Sequence, residues 1–169
     1  VFAVLKEYIE SKRLDLVIMG THGATGLTEF FVGSNTEKVV RFSKVPVVAI
    51  RKAVPLSSIK NIVFPTSLEA GQSAFIKKAK EVQQFFGARL HLLYVNTPLN
   101  FMRDNEVQEF AKRYQLTNCT VNIRNDRYEP DGILSFVEEI KADMLVMPTH
   151  AREGIAHLLR SSITESVVN

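Results

Sequence analysis

The residues best placed to do chemistry are glycines. Gly20-Thr21-His22-Gly23 is followed, after nine residues, by Gly33-Ser34-Asn35. Glycine lets backbone N–H groups approach an anion with no Cβ in the way, and it takes positive φ at no steric cost. If Ser34 and Asn35 open a helix, its unpaired N–H groups and its dipole favour a phosphate by roughly 0.3 to 1 kcal/mol, more when partly buried. No P-loop lysine motif accompanies the glycines, so phosphate recognition would rest on backbone and hydroxyl groups. The same residues admit a reading without ligand, because Ser34-Asn35-Thr36-Glu37 is also a capping box.

The loop needs a strand before it and a helix after it, and the chain supplies that frame twice. Sliding the sequence by 128 positions lays Asp15-Leu16-Val17-Ile18-Met19-Gly20-Thr21-His22 over Asp143-Met144-Leu145-Val146-Met147-Pro148-Thr149-His150. Of 41 aligned positions 11 are identical, among them Asp15, Met19, Ser34, Thr36 and Glu37, where chance gives roughly two or three. A strand near Ile59 opens the second copy, so by this arithmetic the first copy is expected to begin roughly 70 residues before Val1. The counterpart of the strand at 45–51 would fall after Asn169, so the second copy is expected to stop one strand short.

Periodicity fills in the elements. Apolar runs at 59–64, 90–95, 120–123 and 144–147 read as strands. They alternate with helical patterns on Phe75, Ala79, Val82 and Phe86, on Val107, Phe110 and Tyr114, and on Ile133, Phe136 and Ile140. Gly87 fits a left-handed helix end, and Asp104 fits a helix cap. Residues 1–52 repeat only the tail of this order: helix, strand at 16–19, helix at 34–42, strand. Alternating strands and helices argue for an α/β fold with a mostly parallel sheet. Residues 53–58, with Pro55 and Ser57-Ser58, read as the linker between 1–52 and 59–169.

The spacing Gly20, Gly23, Gly33-Ser34 resembles the nucleotide-binding signature of the universal stress protein family. Val45-Pro46-Val47-Val48 and Val63-Phe64-Pro65-Thr66 resemble its last and first strands. The resemblance implies an open parallel five-stranded sheet with helices on both faces, duplicated in tandem. It further implies a stress-response protein that binds ATP or a related adenine nucleotide, with Mg²⁺ accompanying the triphosphate. Met19 and Gly20 would flank the ribose, Gly23 would border ribose and phosphates, and Gly33, Ser34 and Asn35 would hold the phosphates. The family's adenine-side aspartate belongs to a first strand that the first copy lacks here. Terminal strands pair across the family's dimer, which makes 47–50 an edge expected to find a partner within a pseudo-dimer or a homodimer.

The second copy has lost these features. Its three glycine positions are Pro148, Ala151 and Ser161, and Ser67 stands at the aspartate position, while Ser162 keeps the capping box. Proline removes an N–H, and the others bring a Cβ to the loop. Arg152 and His157 offer a weaker alternative, a different anion site. His22 recurs as His150 in this degenerate copy, so it reads as structural.

Composition narrows the remaining classes. Basic side chains number 21 against 18 acidic ones, giving a net charge of +3, and they are scattered, which gives no footprint for nucleic acid. The single Cys119 excludes a disulfide framework and a cysteine zinc site, fits a cytoplasmic setting and reads as a buried thiol. Apolar runs fall far short of the roughly 18 residues of a membrane span, and no leader pattern opens the chain. No acid–base pair, P-loop lysine or metal-ligand cluster supports catalysis. Nucleotide binding leads, ahead of a pure interaction module and of a slow ATPase.

Overall fold

The computed structural model describes residues 2–20, 34–50, 53–68 and 72–148. They fall into two compact units divided after Ala53.

In the first unit, helix α1 (Phe2–Ser11) leads into strand β1 (Val17–Gly20), and helix α2 (Ser34–Phe42) into strand β2 (Val47–Ile50). The strands pair in parallel, Val17 opposite Val47 and Gly20 opposite Ile50. A parallel pair needs a long crossover, and α2 lies within it. The helices pack together through Phe2 and Phe42, whose ring centroids lie 5.7 Å apart. Val39 is buried. Leu16 and Ile18, on the opposite side of β1 from Val17 and Met19, are 47% and 63% exposed.

The second unit runs β3 (Asn61–Pro65), α3 (Ser73–Phe86), β4 (Arg89–Asn96), α4 (Asp104–Arg113), β5 (Cys119–Asn125), α5 (Glu129–Glu139) and β6 (Met144–Leu145). Its sheet has the order β5-β4-β3-β6, and every pair is parallel. Alternation along β4 divides the core. Leu90, Leu92 and Tyr94 join Ile62 and Phe64 under Ile76 and Ala79 of α3 and Val107 and Phe110 of α4. His91 and Val95 face the other way, toward Phe136 and Gly132 of α5. Helices therefore cover both faces, as right-handed crossovers to opposite sides of β3 require. Each buried Leu or Phe in this sandwich contributes roughly 1.5 to 3 kcal/mol.

Several expectations are revised. The described strands form sheets of two and four, and no five-stranded sheet is assembled from them. Helix α4 begins at Asp104 with Arg103 as the cap residue, and Glu106 Oε2 accepts the Arg103 N–H at 2.8 Å. The strand expected at 144–147 is only two residues long; Val146 still donates to Val63 O at 2.9 Å, but Pro148 has no N–H to extend the ladder. Cys119 is half-buried, and its burial raises the thiol pKa above the usual range. Gly87 ends α3 at φ 60°, as its position in the sequence suggests. Among the described residues no helix is long and apolar enough to cross a membrane.

Candidate functional site

Strand β1 delivers its carboxyl end at Gly20, and α2 begins at Ser34. The segment 21–33, which holds Gly23 and Gly33, lies outside the described residues, as does the Ser34 side chain. One contact fixes the frame around it. The Thr36 hydroxyl, on the first turn of α2, donates to the Gly20 carbonyl at 3.0 Å, and Thr36 is buried. The first turn of the helix is thus tied to the end of the strand, which is where open α/β sheets take ligands. Met19 is half-buried on β1, while Gly20 and Asn35 are exposed. Glu37, the acidic residue of that first turn, is offset by Arg41 at 3.6 Å.

The equivalent of Gly20 in the second unit is Pro148, after β6, and beside it lies the carboxyl end of β3. Here the polar groups satisfy one another. The Thr66 hydroxyl donates to Gln72 Oε1 at 2.6 Å, and Gln72 Nε2 donates to Ser67 Oγ at 2.6 Å. Leu68, at φ 60°, donates its N–H to Thr66 Oγ1 at 3.0 Å. A left-handed non-glycine residue costs roughly 1 to 2 kcal/mol, and this network holds it in place. Ser67 is therefore occupied by a neighbour. Pro148 is half-buried after β6, and Ala151, Ser161, Ser162, Arg152, His157, His22 and His150 lie outside the described residues.

Two residues that position this architecture were not singled out from their chemistry, although both are repeat identities. Thr36 is one. The other is Asp143: its Oδ2 accepts the N–H groups of Lys60 at 2.9 Å and Asn61 at 2.8 Å, and its own N–H donates to Asn61 O. This carboxylate clips the start of β3 onto β6. Asp15, its repeat equivalent, is exposed.

Between α5 and the sheet a polar cluster forms around the buried His91. Asn61 Oδ1 can only accept, so His91 Nε2 carries the proton at 3.1 Å, and Nδ1 accepts from the Thr120 hydroxyl at 2.8 Å. Asn122 Nδ2 in turn donates to Thr120 Oγ1 at 3.1 Å. Burial, with Arg89 second, holds the His91 pKa below its ordinary value. With both ring nitrogens engaged, this histidine is structural. Among the described residues no group of His, Cys, Asp and Glu is arranged to hold a metal ion.

The α/β fold agrees with comparison to known proteins. A model of the Universal stress protein family matches residues 1–51 and 58–169, and the chain belongs to that family. Universal stress protein MJ0531 of Methanocaldococcus jannaschii is 41% identical over 46 residues, 27% of each chain. A universal stress protein structure from Archaeoglobus fulgidus aligns with a TM-score of 0.71 at 22% identity, covering 94% of this chain and 63% of that one. A putative universal stress protein from Pseudomonas aeruginosa UCBPP-PA14 aligns at 0.74 and 18% identity, covering 99% of this chain and 64% of that one. The chain thus spans less than two thirds of the length of these relatives. Another universal stress protein was solved in complex with cAMP; it is 13% identical, with a TM-score of 0.48.

Proposed function

We propose that the chain is part of a tandem universal stress protein whose first copy binds ATP or a related adenine nucleotide. In this reading the second copy is a pseudo-dimer partner without a phosphate site. The family match in two segments, 1–51 and 58–169, supports the tandem reading. The observation that carries the nucleotide reading is the tie between Thr36 and Gly20. It places the amino end of α2 at the carboxyl end of β1, the frame across which Gly20, Gly23, Gly33, Ser34 and Asn35 would present backbone and hydroxyl groups to phosphates. Met19 and Gly20 would meet the ribose. Any Mg²⁺ would arrive with the triphosphate.

Contrast with the second unit supports the asymmetry. Ser67 is already engaged by Gln72, and Pro148 offers no N–H. The protein would act in stress signalling as a nucleotide-binding module, not as an efficient enzyme, in the cytoplasm.

The test is thermal stability of the full-length protein with and without ATP. Stabilisation follows RT ln(1 + [L]/Kd), about 2.7 kcal/mol at a hundredfold excess over Kd. Gly33→Val is expected to abolish the shift, and Ser161→Val to leave it intact. If ATP gives no shift to the full-length wild type, the nucleotide reading fails and an interaction module of the same fold takes its place.

A further inference from the structure

The turn after β4 holds two large apolar side chains in water. Thr97-Pro98-Leu99-Asn100 is closed by backbone bonds in both directions between Thr97 and Asn100, at 2.9 and 3.2 Å. The Asn100 side-chain oxygen accepts from the Thr97 N–H and hydroxyl, each at 2.8 Å. Below it the buried Asn96 spans the base of the loop, accepting from the Met102 N–H at 2.8 Å and donating to Met102 O. On this fixed turn Leu99 is 98% exposed and Phe101 72%. Single exposed apolar residues are ordinary. Two on one pre-ordered loop form an anchor, because little freedom is lost when they dock.

Charge around the anchor is mostly negative. The two stretches that close on Asn96, residues 102–106 and 125–131, contain five carboxylates and two arginines. Asp126 donates its N–H to Asn96 O at 2.9 Å, which brings the second stretch to the base of the turn.

The chain also carries a surface of the complementary kind. A cavity of about 380 Å³ opens between α1 and α2, with Ile9, Val39 and Phe42 in its wall. Lys6, Arg13 and Lys44 line it against one carboxylate, Glu10, itself 3.7 Å from Lys44. That volume falls within the roughly 300 to 1,000 Å³ of clefts that enclose small ligands, so it has room for an inserted apolar turn. We infer that copies of this chain associate head to tail, the Leu99–Phe101 turn of one copy seated in the α1–α2 cavity of the next. The two surfaces differ, so the contact is heterologous and adds copies beyond a two-fold dimer, into a ring or an open series. With two anchors it belongs to the weak class of interfaces, below about 1,200 Å².

Sedimentation velocity of the protein over a wide concentration range tests this. The expected result is a weight-average sedimentation coefficient that keeps rising with concentration without a plateau at the dimer, and that falls at high salt as the charge attraction is screened. Leu99→Asp in one arm and Phe42→Asp in another are each expected to weaken association at least about tenfold. Lys44→Glu, on a side chain 86% exposed at the rim of the cavity, provides a groove variant that does not disturb the core. Three results overturn the inference: a single species at every concentration, a dimer plateau indifferent to Leu99→Asp, or sensitivity to Leu99→Asp with none to Phe42→Asp or Lys44→Glu.

Discussion

Replacing Asp143 with alanine puts the repeat to its sharpest physical test. One carboxylate oxygen accepts two backbone N–H groups at 2.9 and 2.8 Å and so fastens the amino end of β3 to β6. Hydrogen bonds to a charged acceptor contribute roughly 1.5 to 3 kcal/mol each. The Lys60 amide is exposed and its bond falls at the low end, while the Asn61 amide is half-buried. The loss expected for Asp143→Ala is therefore about 2 to 4 kcal/mol. Asp143→Asn keeps an acceptor without the charge and is expected to lose about half of that. Urea unfolding reads the difference as a fall of about 1 to 2 M in midpoint for Asp143→Ala at unchanged slope. Hydrogen exchange adds a local signature: the amides of residues 60 and 61 lose protection before the rest of β3. An unchanged midpoint for Asp143→Ala, or unchanged protection at 60 and 61, would refute the clip.

Gly132→Ala should destabilise the second unit despite alanine's better helix propensity. A Cβ there would lie 2.6 Å from Val95 Cγ1, and Val95 is only 4% exposed and has no space to move. Overpacking costs roughly 1 to 3 kcal/mol against a propensity gain of about 1, so a net loss of up to about 2 kcal/mol is expected in thermal or urea unfolding. His91 predicts a pH dependence. Its folded pKa is depressed by burial, so below the ordinary histidine value, about 6.5, the unfolded chain takes up a proton that the native state refuses. Its contribution to stability is whole above that pH and is lost as the pH falls toward the depressed folded value. Urea midpoints compared at neutral and mildly acid pH should fall more for the wild type than for His91→Gln; identical slopes would remove His91 from the account.

Helices were legible because their apolar residues recur every three or four positions and their ends carry local signals. Gly87 shows this: its left-handed φ is dictated by the absence of a Cβ, whatever packs nearby. Strand ends were less legible, since they depend on the neighbour. β5 runs to Asn125 because β4 offers partners as far as Asn96, whereas β6 stops after two residues although its apolar run continues. The cap of α4 was misplaced by one residue because Arg103 caps through a reciprocal bond with Glu106 and not through a short polar side chain.

For the candidate site, the glycine spacing and the residues Pro148 and Ser67 were visible in the sequence as residue types. The engagement of Ser67 by Gln72 was not, because it requires the chain to turn back through Leu68 at positive φ.

Sequence by itself determined the 11 identities at a spacing of 128, the alternation of strands and helices, and the residue types at the glycine positions and their equivalents, all of which are local or self-referential properties of the chain. Tertiary structure alone decided what each side chain meets. Met144 and Val146 pack against the core under α3 and α4. Asp143 holds two amides that lie 83 and 82 positions earlier in the chain. Burial and hydrogen bonding belong to the pair of surfaces that meet, and no single stretch of sequence contains both.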